Sequence, residues 1–364
     1  MRIGIYDPYL DDLGGGEKYM MTIAECLAKQ HKVSVFWDAV DDINAIKKRF
    51  SLSLEDVSVV KNIFSPKVGT WERLSETNKY DAIIVLSDGS IPLVLSRKLF
   101  IHLQQPIEHI DTTSIKGMFK LSKVTAVFYN SKFTKSYNEK NLRRLKNVLV
   151  YPPVEITHSA GSGQGSEEKE NVIMHVGRFR VKKVKGVDDY KKQGVMVNVF
   201  KNMIDAKLKG WKFIVAASVK KEDEDAFSQL QESAKGYPIE FMINKSNDEL
   251  WEMYGRAKIY WHASGFGEDL EKHPEYAEHF GISTVEAMGA GAVPVVINAG
   301  GQREIVEDTK DGLLWNTVDE LQQKTMKLIE DESLWKKMSE SAKIRAKDFS
   351  KERFCEEINK LVNY

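Results

Sequence analysis

The chain alternates short apolar, β-branched runs with stretches in which apolar residues recur every three or four positions. In the first half the runs are "RIGIY" (2–6), "KVSVFW" (32–37), "AIIVLSD" (82–88), "LFIHLQ" (99–104), "AVFYNS" (126–131) and "NVLVYPPV" (147–154), and the helical pattern "GEKYMMTIAECLAKQ" (16–30) follows the first of them. Strands alternating with helical segments of about 10–15 residues predict parallel sheets covered by helices on both faces. After Pro152 and Pro153 the pattern breaks at "HSAGSGQGSEEKEN" (158–171), which holds no large apolar residue and reads as an exposed flexible linker. A second alternation follows: "NVIMHVG", "KFIVAAS", "IEFMIN", "IYWHAS", "AVPVVIN" and "GLLW", with helical patterns between them and a helical tail from Asp319 onward. The expected organisation is α/β. A Rossmann-like domain spans 1–155, a linker 156–171 and a second Rossmann-like domain 172–348; a helix at 349–364 returns to the first domain. Two such domains would face each other across a cleft at the carboxyl ends of their strands, where ligands of doubly wound sheets bind.

Composition narrows the class. At 364 residues the chain exceeds one ordinary core, and 42% hydrophobic with 29% charged residues is the balance of a water-soluble globular protein. No apolar run approaches the roughly 20 residues that span a bilayer, so membrane contact would be peripheral. The start, "MRIGIYDPYLDD", lacks the regions of a signal peptide. Cys26 and Cys355 form neither a metal spacing nor a disulfide framework, and a reducing cytoplasm is the expected location.

Net charge is zero but unevenly spread. Residues 1–155 hold 22 Lys and Arg against 18 Asp and Glu, a net +4 that leaves −4 for the rest. Within 97–147 eleven basic residues face only Glu108, Asp111 and Glu139. There "SIKGMFKLSKV" interleaves Lys116, Lys120 and Lys123 with Ile115, Met118, Phe119 and Leu121. That pattern fits weak contact with an anionic membrane, or simply a solvated basic face. No nucleic-acid motif accompanies the charge.

Candidate chemistry concentrates in "EHFGISTVEAMGAG" (278–291). A helix starting near Ile282 or Ser283, after Gly281, offers unpaired N–H groups and a positive dipole end suited to phosphate. Glu286, one turn in, can reach hydroxyls beside that phosphate, and Glu278 precedes the helix. In the first half "DDLGGGEKY" (11–19) sets Gly14, Gly15 and Gly16 between a strand and a helix. Their backbone could approach an anion or merely turn, and the spacing is not that of a dinucleotide fingerprint.

Glu278 and Glu286, seven residues between them, followed by the Gly289–Pro294 continuation and by Gly300, Gly301 and Glu304, resemble the retaining nucleotide-sugar glycosyltransferases of family four. These have the GT-B fold of two facing Rossmann domains. "GGGEK", "YNSKF" and "HVGRF" extend the resemblance over most of the chain. It implies that Glu286 binds the donor's ribose and Glu278 the transferred sugar. Gly15, Gly16, Phe280, Gly281, Ile282 and Ser283 would line the donor site. Arg178 and a lysine would neutralise the diphosphate; Lys191 matches best, with Lys192 and Lys185 as rivals across an insertion. His102, ending a strand, would face the sugar near the reaction centre, and Asn130 and Ser131 either reach the cleft or cap a helix. The implied catalytic group is Arg178, Lys191, Glu278 and His102.

Cleaving a glycosyl–phosphate bond leaves a growing negative charge, which a metal or an Arg and a Lys must balance. Asp223-Glu224-Asp225 has the acidic spacing for a metal, but it opens a charged helix. His262, His273 and His279 match no helical metal pair. No metal and no cofactor are therefore expected beyond a UDP- or GDP-linked sugar as co-substrate, with a glycan or lipid-linked acceptor. The long loop "ASGFGEDLEKHPEYAEHFG" (263–281) would shape donor choice or act as a lid. The expected reaction is metal-independent hexose transfer with retention, in the cytoplasm or peripherally at the inner face of a membrane. A nucleotide-sugar epimerase or hydrolase and a non-catalytic sugar-nucleotide-binding protein are the rival classes. Donor base, sugar, acceptor, linkage and oligomeric state are not legible in the residues.

Overall fold

The computed structural model describes residues 1–12, 14–107, 109–156, 169–181 and 191–364. The chain divides into two compact units, Met1–Pro153 with Lys351–Tyr364, and Val154–Ser350.

The first unit runs β1 (Arg2–Tyr6), α1 (Gly15–Ala28), β2 (Lys32–Phe36), α2 (Val40–Phe50), β3 (Val57–Val60), α3 (Thr70–Thr77), β4 (Ala82–Leu86), β5 (Lys98–Leu103), α4 (Ile115–Leu121), β6 (Ala126–Tyr129), α5 (Lys132–Asn138) and β7 (Asn147–Leu149). Its strands are parallel in the order β3-β2-β1-β4-β5-β6-β7. The second unit runs β8 (Glu170–Phe179), α6 (Gln193–Asp205), β9 (Lys212–Val219), α7 (Glu224–Ser233), β10 (Ile239–Ile243), α8 (Asn247–Arg256), β11 (Ala257–His262), α9 (Ile282–Gly289), β12 (Val293–Ile297), α10 (Gln302–Ile305), β13 (Leu313–Trp315), α11 (Val318–Glu330) and α12 (Glu332–Ala346). Its parallel order is β10-β9-β8-β11-β12-β13. Both sheets wind outward in two directions from a central pair, β1/β4 and β8/β11. Each is a Rossmann-like sheet whose crevice opens at the carboxyl ends of that pair.

Strands β4, β6 and β12 are buried at every position, as sheets covered on both faces require. Strand β3 is half-exposed and lies at a sheet edge; its "VSVV" is the one strand of this unit absent from the expected series. The expected linker lies almost wholly at 157–168, outside the described residues. No described helix is long and apolar enough to cross a membrane.

Helix α13 (Lys351–Val362) completes the first unit. Phe354, Ile358, Leu361 and Val362, spaced by four, three and one, enter the core beside Ile23 and Leu27 of α1. Phe354 meets the Tyr19 ring edge-on at 4.9 Å, and the Lys98 ammonium donates to the Val362 carbonyl (2.9 Å).

The cysteines correct the expectation drawn from sequence: Cys26 of α1 and Cys355 of α13 form a disulfide across 329 positions. No local spacing announces such a bond, because the two residues meet only when the returning helix docks. Thiol usage therefore no longer argues for a reducing compartment, since disulfides persist mainly in oxidising ones. We expect unfolded, unreduced protein to show no thiol to Ellman's reagent and two after reduction. Cys355→Ser should destabilise the first unit by about 2–4 kcal/mol, read as a lower melting midpoint without reductant.

Candidate active site

In the second unit the central pair ends in a cluster of charged and polar side chains. Arg178, near the end of β8, is exposed, and its guanidinium pairs with no carboxylate among the described residues. Lys191 donates to Glu278 Oε2 at 2.6 Å, both side chains mostly buried. His262, the last residue of β11, reaches the same oxygen at 2.9 Å through Nε2. A carboxylate only accepts, so Nε2 carries the proton and Nδ1 is the bare nitrogen. That Nδ1 is buried without a partner among the described residues.

Electrostatics follow from this packing. Burial alone would push the Glu278 carboxyl up, but the Lys191 ammonium and the His262 ring together hold it well below the usual carboxylate range. Burial pushes His262 down, against Glu278, and keeps it neutral. His175, buried on β8 with its ring 6.0 Å from that of His262, is pushed down by burial to about 3. It donates Nδ1–H to the Trp261 carbonyl (2.9 Å). Lys192, left-handed at φ 57° as the N-cap of α6, pairs with Glu268 of the long loop.

Helix α9 begins where the sequence places it. Gly281 holds φ +124°, and a Cβ there would sit 2.5 Å from Gln302 Nε2, so only glycine lets the loop turn into the helix. The loop is tied down by Gly301, whose N–H donates to the Glu278 carbonyl (2.7 Å). Side chains at Gly300 or Gly301 would collide with the backbone of Glu278 or Phe280. Ser283, in the first turn, bonds the Tyr260 hydroxyl (2.8 Å). The Tyr254 hydroxyl donates to Glu286 Oε2 (3.1 Å) and fixes that carboxylate one turn along. Phe280 departs from expectation. Its ring is buried against Phe349 (5.4 Å between centres), so it packs the loop and offers a ligand only main chain.

Several buried polar atoms around these residues have no partner among the described residues: His175 Nε2, both amide atoms of Gln193 and of Gln302, and Thr284 Oγ1. Gln193 opens α6 beside Gly177 on β8, Thr284 is in the first turn of α9, and Gln302 lies against Gly281. Buried polar groups are nearly always paired, so unpaired ones gathered at one sheet end mark a place for water or a polar ligand. Sequence reasoning missed His175, Gln193 and Gln302, and weighed His262 only as a metal ligand. Of these only the strand-end position of His262 gave a signal.

Other candidates stand apart from this cluster. Lys185 lies outside the described residues. Asp223 is buried, pairs with Arg180 (3.5 Å) and accepts the Val181 N–H (3.0 Å), so it is committed to holding local chain. In the first unit Gly15 and Gly16 start α1, and Glu17 reaches back to the Gly14 N–H (2.5 Å), occupying one donor an anion would use. A side chain at Gly16 would strike Gln104. Ser131 caps α5 by accepting the Thr134 N–H (2.9 Å), and Asn130 donates to the Gln104 carbonyl (2.9 Å).

His102 lies in the core of the first unit. Its ring is fully buried, stacked on Tyr19 at 4.1 Å and on Phe128 at 4.6 Å, with Nδ1 on the Phe128 carbonyl. Strand alternation turns residue 102 toward α1, and its Nε2 is buried with no partner among the described residues. Asp7, which follows β1, is instead the unforeseen group of this unit. It is fully buried, accepts the Tyr9 N–H on Oδ1 (2.9 Å), and Oδ2 has no partner among the described residues. Burial raises its carboxyl to about 7.

Residues 162–345 match the family model for glycosyl transferases group 1, half of the chain. The chain belongs to that family. The Dictyostelium discoideum GDP-Man:Man(3)GlcNAc(2)-PP-Dol alpha-1,2-mannosyltransferase is 25% identical over 221 residues, 59% of this chain and 41% of that protein. Its Xenopus laevis counterpart is 29% identical over 189 residues, 48% of this chain and 35% of its own. The chain thus spans well under half the length of these relatives. By contrast, a Campylobacter jejuni alpha-1,4-N-acetyl-D-galactosaminyltransferase acting on a diNAcBac-PP-undecaprenol-linked saccharide is 25% identical over 371 residues, 96% of this chain and 95% of its own. Among solved structures, Anabaena HepE in complex with UDP superposes with a TM-score of 0.74 at 17% identity over all of both chains, a likeness of fold.

The buried Asp7 carboxyl yields a pH test. Its folded pKa of about 7 exceeds the ordinary 3.8, so the folded state keeps a proton that the unfolded state has lost between those values, and stability falls as pH rises across that window. Asp7→Asn removes this fall. The melting midpoint of the variant relative to wild type should rise from pH 4 to pH 7 by the equivalent of about 2–4 kcal/mol and then level off.

Proposed function

We propose that this chain is a retaining, metal-independent glycosyltransferase that moves a hexose from a UDP- or GDP-linked sugar to a saccharide or lipid-linked acceptor. The observation that carries the reading is the Lys191–Glu278–His262 cluster, set beside Arg178 and the N-terminus of α9 at the crevice of the second sheet. Full-length similarity to the Campylobacter enzyme, whose acceptor is lipid-linked, supports the acceptor class.

In this reading Glu286, held by Tyr254, accepts the ribose hydroxyls, and Glu278 accepts from the sugar. The first-turn N–H groups of α9 meet phosphate, where a helix end favours an anion. Arg178 and Lys191 stabilise the diphosphate as the sugar C1–O bond breaks. The acceptor oxygen forms its bond to C1 on the same face, and the departing phosphate oxygen takes the acceptor's proton. The Lys191–Glu278 pair then satisfies both groups internally until the donor replaces each contact with one of its own.

Two measurements test this. Melting titrations with UDP, GDP, ADP and their sugar conjugates in EDTA should show stabilisation by one nucleotide class, about 2.7 kcal/mol at 100 times the dissociation constant, abolished in Glu286→Ala. No shift with any of them sinks the donor-site assignment. Glu278→Gln should release Lys191 and tighten binding of the free nucleoside diphosphate by roughly five-fold, the equivalent of about 1 kcal/mol for a partly exposed pair, while cutting turnover. Calorimetry showing weaker diphosphate binding would remove Lys191 from the phosphate site.

A further inference from the structure

Helix α4 of the first unit turns its apolar side to solvent. Gly117 is buried because a side chain there would run into Asp111, and Ser114 fixes the approach. The Ser114 hydroxyl accepts the Gly117 N–H (2.9 Å), and its own N–H donates to Asp111 Oδ1 (3.0 Å). With Gly117 facing inward and Leu121 packed on the core, Ile115, Met118 and Phe119, at the spacing i, i+3, i+4, stand 85%, 50% and 54% exposed. Lys116 and Lys120 follow the flank of the same helix at i, i+4, and Lys123 stands in the turn just past its end. The Lys123 ammonium lies 5.6 Å from the centre of the Phe119 ring. Burial, then Lys116 and Arg73 of α3, lower the Lys120 pKa against the opposing pull of Asp111, so the positive charge continues onto the neighbouring helix.

An outward apolar triad beside a row of lysines is the arrangement of a helix lying in a membrane interface. We propose that this face of the first unit seats on an anionic lipid bilayer, with Ile115, Met118 and Phe119 entering the boundary between headgroups and acyl chains and Lys116, Lys120 and Lys123 meeting lipid phosphates. Charge complementarity selects this occupant. The surrounding stretch 97–147 has eleven basic residues against three acidic ones, and a second copy of the chain would bring the same excess against itself. Three side chains on a two-turn helix also fall far short of the roughly 800 Å² per partner that a stable protein interface buries. A bilayer needs less, because each lysine near an anionic surface multiplies partitioning by roughly five-fold and the apolar side chains add to it. The inference stands independently of the transfer reaction, since binding is measured without donor or acceptor.

The test is co-sedimentation of the full chain with vesicles of phosphatidylcholine alone and with about 30 mol% phosphatidylglycerol added, at salt of about 0.1 M and about 1 M. Wild type should pellet with the anionic vesicles at low salt and be released at high salt. Lys116→Gln/Lys120→Gln/Lys123→Gln should lower partitioning by roughly a hundred-fold. Ile115→Ser/Met118→Ser/Phe119→Ser should also release the protein with its melting midpoint unchanged, as expected for exposed positions. The proposal is overturned if wild type ignores anionic vesicles, binds neutral ones equally, or keeps full binding after the serine substitutions. It is overturned equally if those substitutions dissolve a dimer while vesicles bind nothing, because a second copy would then cover the face.

Discussion

Glu278 gathers four separate pieces of chain onto one residue. Its carboxylate takes the Lys191 ammonium and the His262 ring, its carbonyl takes the Gly301 amide, and its own loop leads through Gly281 into α9. The ends of β8's connection, of β11 and of β12's connection are thereby fixed relative to one another. This is possible only because parallel strands deliver all their carboxyl ends to one side of the sheet. The cost is a charge drawn mostly out of water, and it is tolerable because a cation and a neutral imidazole donor both answer it.

The two neighbouring glycines show how closely that arrangement is built. Gly300 and Gly301 let the chain after β12 lie against the backbone of residues 278–280 with no side chain between them. The carbonyl–amide contact would be lost if the loops were held apart by even a methyl group. The amides of Gln193 and Gln302, without partners among the described residues, sit at the margins of the same construction, and a rigid polar surface with donors and acceptors to offer is what oriented binding requires.

Most of the fold was legible because parallel, doubly covered strands are nearly uninterrupted apolar runs, and "AIIVL" or "VPVVI" can be little else. Strand β3 escaped because an edge strand is short and half-exposed. The start of α9 was legible through glycine placement, whereas the pairing of Glu278 with Lys191 was not, because the sequence reading gave one to the sugar and the other to the diphosphate. The packing of His102 against Tyr19 was not legible, because strand position says nothing of which face a residue takes when both faces are buried. Phe280 lay inside the motif but serves the core behind it, and spacing cannot separate those roles. His175, Gln193 and Gln302 carried no local signal; they join the site through folding alone.

The returning helix α13 makes the first unit discontinuous in sequence, with Phe354, Ile358 and Leu361 filling a core whose other members precede residue 154. During synthesis those side chains leave the ribosome only after all of residues 154–350 have emerged. The later unit, whose chain is continuous, can therefore reach its native core first. The earlier one waits with an uncovered apolar face on α1, and the order of completion runs opposite to the order of translation.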